Sequence, residues 1–176
     1  SSFGLISGGT YNTPLCLRND GTLNFTVLTT KTGGEAGIRS AMGLTYTDLL
    51  PNKIQMVNTG TITMVSNAMT STSSTASLMA AVRGGQADLG IPTATADLVD
   101  GNTGLYNLGT LTENSNKGVR GISVQDAGFL NDVLNGSQAK ITFDSATLNA
   151  GQSRRGIQVA AGPNQVYVYR LTNNGL

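Results

Sequence analysis

The 176-residue chain contains no histidine, no tryptophan, one cysteine, four prolines and only nine phenylalanines and tyrosines together. Charge is scarce too: 11 Lys and Arg stand against 10 Asp and Glu, and charged residues are 12% of the chain. Each scarcity closes a class of function. Without histidine the commonest general base and transition-metal ligand is missing, which excludes Ser-His-Asp, Cys-His and zinc chemistry. A single cysteine excludes an intrachain disulfide and any Cys-rich metal site. In the segment Pro14-Leu15-Cys16-Leu17 that thiol is expected to be buried and inert. A net charge of +1 gives no basic face for nucleic acid, so no direct nucleic-acid partner is expected. No run of about 18 apolar residues occurs, and no membrane partner is expected.

What fills the chain instead is neutral polarity. Gly, Thr, Asn and Ser make up 76 of the 176 residues. Two stretches carry no charged side chain at all, residues 1–16 and the 29 residues from Ile54 to Val82. The first, with Phe3, Leu5 and Ile6 around small polar residues, reads as an extended N-terminal arm, and residues 17–176 read as one β-rich domain with no linker inside it.

Period-two alternation marks strands. It is found in Leu23, Phe25 and Val27, and again in Ile54 and Met56, in Ile62 and Met64, in Ala139, Ile141 and Phe143, in Ile157 and Val159, and in Val166, Val168 and Arg170. Asn19-Asp20-Gly21 and Asn58-Thr59-Gly60 are turn signals between apolar runs, and each predicts a β-hairpin. The best helix signal runs over Val124 to Leu134, with Ser123 as N-cap and Gly136 past its end, and weaker helical spacing is found within 33–50 and over Ser77 to Val82. No fixed-period repeat stands out. The balance predicts a mainly-β sandwich or jelly-roll-like domain with one or two short helices; the alternative is α/β, from a strand–helix alternation over 22–82.

The succession of strand 22–30, a Gly-rich turn, a helix, strand 53–58 and then Ser74-Thr-Ala-Ser-Leu-Met-Ala-Ala-Val-Arg-Gly-Gly-Gln-Ala-Asp-Leu-Gly-Ile91 is similar to the first lobe of periplasmic solute-binding proteins, in which a helix ends in a Gly-x-Ala-Asp-Leu-Gly turn into a strand. The resemblance covers about 70 residues and implies a small-ligand cleft near Thr32 to Gly37 and Ser73 to Thr75. A full protein of that kind needs a second lobe, and the Asn/Thr-rich second half shows none.

Other candidate sites are weak beside their ordinary explanations. The Gly-rich segment 32–37 has neither dinucleotide-fingerprint nor P-loop spacing. Asp97 and Asp100, around Gly101-Asn102, carry cation-ligand chemistry but also plain turn chemistry. Arg154-Arg155 reads as a solvated loop, since two arginines alone are a weak anion cluster. Asn24 and Asn135 head glycosylation triplets. The acids form no spaced motif, and glutamate occurs only at Glu35 and Glu113. No catalytic residue, metal or cofactor is assigned, and an enzyme is not expected.

Depletion of charge is the mark of surface that becomes buried between subunits. The expected function is therefore structural: a subunit of a repetitive extracellular assembly, foremost a virion protein (capsid, decoration or tail-tube component), alternatively a surface filament subunit, alternatively a solute-binding domain. Its partners would be copies of itself and other proteins of the same assembly. The expected subunit contacts are Phe3, Leu5 and Ile6 in the arm, Ile62 and Met64 in the uncharged stretch, and Tyr167 and Tyr169 near the C-terminus.

Overall fold

The computed structural model describes residues 2–8, 15–26, 39–46, 54–65, 75–82, 104–115, 119–126, 128–144, 153–159 and 166–176. They form fourteen strands and, among the described residues, no helix. The first coil of chain comprises β1 (Ser2–Gly8), β2 (Leu15–Asn19) and β3 (Thr22–Thr26); the second β4 (Arg39–Tyr46), β5 (Ile54–Asn58) and β6 (Thr61–Val65). The third holds β7 (Thr75–Val82), β8 (Gly104–Asn107) and β9 (Thr110–Asn114); the fourth β10 (Val119–Asp126), β11 (Gly128–Asn135) and β12 (Lys140–Phe143). The fifth holds β13 (Arg154–Val159) and β14 (Val166–Asn173).

Every third strand joins the same sheet. Sheet A has the order β1-β4-β7-β10-β13, sheet B β14-β11-β8-β5-β2, and sheet C β12-β9-β6-β3. All pairings are parallel. The chain thus winds as a three-sided parallel coil in which each turn stacks on the last, about 4.8 Å further along the axis. Five turns give a length of roughly 24 Å.

The mainly-β expectation holds, and strands are present where alternation placed them, around 23–25, 54–56, 62–64, 141–143, 157–159 and 166–170, with 27–30 outside the described residues. Their pairing differs from a sandwich or jelly roll, whose strands are antiparallel. The two expected hairpins are absent for the same reason: β2 and β3 lie in different sheets, as do β5 and β6. The helix expected over 77–82 is a strand, as are the described parts of 124–134 and of 33–50. A strand thus stands at 75–82 where the likeness to solute-binding proteins placed a helix, while the parallel pairing is the one the α/β alternative expected. Residues 41–43, 76–78 and 121–124 of sheet A are buried throughout, and a strand covered on both faces reads as a continuous apolar run rather than an alternating one.

Columns of like side chains run along the axis, because parallel register places equivalent positions of successive coils side by side. Leu17, Met56, Leu105, Val133 and Leu171 align in sheet B, and Leu23, Ile62, Leu111 and Ile141 in sheet C. Apart from Leu171, which is exposed, they make one continuous core with Met42, Leu78, Ile122 and Val124 of sheet A. Small residues of sheet A leave room for the large ones opposite: a Cβ on Gly121 would lie 2.6 Å from the Ile141 side chain.

Between sheets B and C the chain turns through a short corner, and here the packing is tightest. Thr61 N–H donates to Gly21 O, Thr110 N–H to Gly60 O and Lys140 N–H to Gly109 O, each at 2.9 Å. A Cβ at Gly60 would sit 2.0 Å from Gly21 O, and one at Gly109 would sit 2.1 Å from Gly60 O. Close approach of stacked backbones, rather than an unusual dihedral, is what requires glycine at both. Gly109→Ala should therefore lower stability by about 1–3 kcal/mol in chemical denaturation; an unchanged midpoint would show that the corner relaxes freely.

Candidate functional site

The same corner carries a polar column. Each coil ends its sheet-B strand in asparagine: Asn19, Asn58, Asn107, Asn135 and Asn173. The Nδ2 of Asn19 donates to Oδ1 of Asn58 at 2.8 Å, Asn58 to Asn107 at 2.9 Å, Asn107 to Asn135 at 2.8 Å and Asn135 to Asn173 at 2.8 Å. The second proton of Asn58 reaches Gly60 O and that of Asn107 reaches Lys140 O. Asparagine suits this place because its short amide both donates and accepts along one direction. Asn58, Asn107 and Asn135 are buried; a glycan on Asn135 is incompatible with the folded chain, whereas Asn24 is exposed.

On sheet B, Tyr106 Oη donates to Asp132 Oδ2 at 2.9 Å and Arg170 Nε to Asp132 Oδ1 at 2.6 Å. Gly104 makes the arrangement fit, since a Cβ there would lie 2.9 Å from the Tyr106 ring. The buried Asp132 thus pins coils three, four and five together through two partners.

Glu113 is the unexpected residue. In sheet C it aligns with Met64 and Phe143, and Met64 aligns in turn with Phe25. It is completely buried in an otherwise apolar column. The Ser77 hydroxyl donates to its Oε1, while Oε2 is buried with no hydrogen-bond partner. Burial pushes its pKa up to about 8, against the lowering effect of the Ser77 hydroxyl and amide. The carboxyl is therefore neutral at pH 7, and nothing there resembles a substrate pocket.

The face of coil five carries exposed apolar side chains beside a cavity. Sheets A and B reach coil five with β13 and β14 and sheet C reaches coil four with β12, and after β14 the Leu176 N–H donates to Ala139 O while its carbonyl accepts from Ile141 N–H. A cavity of about 450 Å³ lies there, lined by Asn135, Ile141, Gly156, Ile157, Leu171, Asn173 and Leu176. Val159, Leu171 and Leu176 are large hydrophobics that are 38%, 55% and 83% exposed. No described residue donates to Oδ1 of Asn19, and Nδ2 of Asn173 donates to none. Among the described residues the polar column thus has an unfilled acceptor at Asn19 and an unfilled donor at Asn173.

The expected contact residues fall in different places. Phe3, Leu5 and Ile6 lie on β1, the edge strand of sheet A, paired within the chain to β4 beside Ser40, Met42 and Gly43. Ile62 and Met64 are fully buried in the core, so they touch their own chain and offer nothing to a second one. Tyr167 and Tyr169 lie on β14, with Tyr167 beside Phe129. Cys16 is exposed, not buried, because it falls on the position of β2 opposite to Leu17 and the core. Arg154 and Arg155 belong to strand β13 rather than a loop. Asp97, Asp100 and the segments 32–37 and 87–91 lie outside the described residues. No group of three or more potential metal ligands occurs among the described residues. The residues that the sequence reading missed are Leu171 and Leu176 at the end face and Glu113 inside. Comparison with protein-family models, curated proteins and solved structures gave no match.

Two outcomes follow from this geometry. Asn107→Ala deprives both Asn58 and Asn135 of a buried partner and should lower stability by about 2–4 kcal/mol, whereas Asn24→Ala should have little effect, as measured by denaturant unfolding. For Glu113 the folded pKa is raised, so between pH 4.5 and about 8 the unfolded chain is ionised while the folded chain stays protonated. Its contribution is most favourable below pH 4.5 and is lost as pH rises towards 8. Relative to Glu113→Gln, the wild-type chain should lose about 3 kcal/mol between pH 4.5 and 7; parallel pH profiles of the two proteins would contradict a buried neutral carboxyl.

Proposed function

We propose that this chain is a structural subunit of a repetitive extracellular assembly that grows along the coil axis, as a component of a virion or a surface filament. The observation that carries the reading is the end face at coil five: exposed Leu171 and Leu176 beside a cavity, bordered by strand edges and by the open donor of Asn173. The occupant it fits is a further coil of the same kind, and the first coil of a second copy supplies one, since its Asn19 presents the matching acceptor and its strands β1 and β2 can extend sheets A and B. Main-chain pairing supplies affinity in such strand addition, and apolar contacts along the column add to it.

The charge-poor composition supports the same reading, since a surface of Thr, Ser, Asn and Gly is buried between subunits at less desolvation cost than a charged one. The contacts are reassigned from Ile62 and Met64 to the end face. No catalytic role is attached to any residue.

Light scattering after size-exclusion chromatography, with electron microscopy of negatively stained samples, tests the reading. Wild-type protein should form concentration-dependent linear species, and Leu171→Lys should leave a folded monomer. A wild-type chain that stays monomeric at high concentration, or a Leu171→Lys variant that assembles as well as wild type, would overturn it.

A further inference from the structure

Two arginines brought together by strand register form a second candidate site. Arg154 and Arg155 are consecutive on β13, and alternation sends consecutive side chains to opposite faces, so the dipeptide by itself is no clamp. Pairing of β10 with β13 changes this by setting Arg120 directly beside Arg155, on strands about 4.8 Å apart.

The two side chains are held differently. Arg120 is half-buried and donates through Nε to Gln158 Oε1, which fixes the plane of its guanidinium and leaves the two terminal nitrogens for another acceptor. Arg155 is exposed and can move to meet a ligand. Like charges directly opposed across strands destabilise each other. No carboxylate among the described residues pairs with either: the two ion pairs found there use Arg18 with Asp20 and Arg170 with Asp132. Burial, and then the charge of Arg155, pulls the Arg120 guanidinium below its ordinary value, as expected where positive charge lacks a counter-charge.

We infer that Arg120 and Arg155 clamp a dianionic tetrahedral oxyanion, a phosphate or sulfate group. Two planar forks need two pairs of acceptor oxygens. A tetrahedral dianion offers enough oxygens and cancels both charges; a single carboxylate fills one fork and cancels one charge. The inference is independent of axial stacking, because it concerns the side of the last two coils rather than the end face.

The full chain is titrated with inorganic phosphate and, separately, inorganic sulfate, at an ionic strength held constant with sodium chloride, following backbone amide resonances. Saturable shifts centred on β10 and β13 are expected. Arg155→Gln should weaken binding at least tenfold, and Arg155→Lys, which keeps the charge but loses the fork, should weaken it less. Arg18→Gln, whose guanidinium is already paired, should bind as wild type. A second pair of titrations, with O-phosphoserine and with glucose 6-sulfate, separates the two sources, and stronger binding of either ester than of its inorganic ion identifies it. Shifts that do not saturate, shifts matched by chloride alone, or an Arg155→Gln variant that binds like wild type would overturn the clamp.

Discussion

The asparagine column at the corner between sheets B and C is the constraint on which the rest of the structure depends. A parallel coil has no hairpin turn to fix its register, and a slip of one residue would exchange core and solvent faces along a whole strand. Each buried asparagine amide must find one donor and one acceptor in neighbouring coils. Asn58, Asn107 and Asn135 do so only when successive turns are stacked in the observed alignment. Once those positions are set, Met56 and Leu105 align within sheet B, and Ile62 and Leu111 follow beyond the corner.

Glycine and glutamate respond to that alignment in opposite ways. Gly60 and Gly109 allow it, since stacked backbones at the corner leave no space for a Cβ. Glu113 bears its cost: placed in line with Met64 and Phe143, it is forced into the core and held neutral. The site is less stable than an apolar residue would make it at neutral pH, but it remains compatible with folding because the neutral acid still has the Ser77 hydroxyl as a partner.

Strand content was legible because alternation is a local property, visible in Leu23 and Phe25 or in Ile141 and Phe143. Strand direction was not. Asn-x-Gly between apolar runs is the signal of a hairpin, and Asn19-Asp20-Gly21 and Asn58-Thr59-Gly60 fit it equally well as corners of a coil. The clue that separates the two is recurrence: Asn-x-Gly returns at Asn107 and Asn173. Corner asparagines 39, 49, 28 and 38 residues apart hide that repeat, because insertions between strands change its spacing without changing its register. Helical expectations failed where consecutive strand positions are buried, as at 41–43 and 76–78 of sheet A and 132–135 of sheet B. The pairing of Arg120 with Arg155 spans 35 residues and exists only once the coil is wound.

The asparagine column also has a direction. All four amide bonds point the same way, from Asn19 towards Asn173, so their side-chain dipoles add head to tail, as peptide dipoles do along a helix. The two ends of the coil are thus electrically unlike. A twofold-symmetric pair would set donor against donor or acceptor against acceptor, whereas translation along the axis continues the series. Association through this column is polar by construction, and an assembly built on it has distinguishable ends.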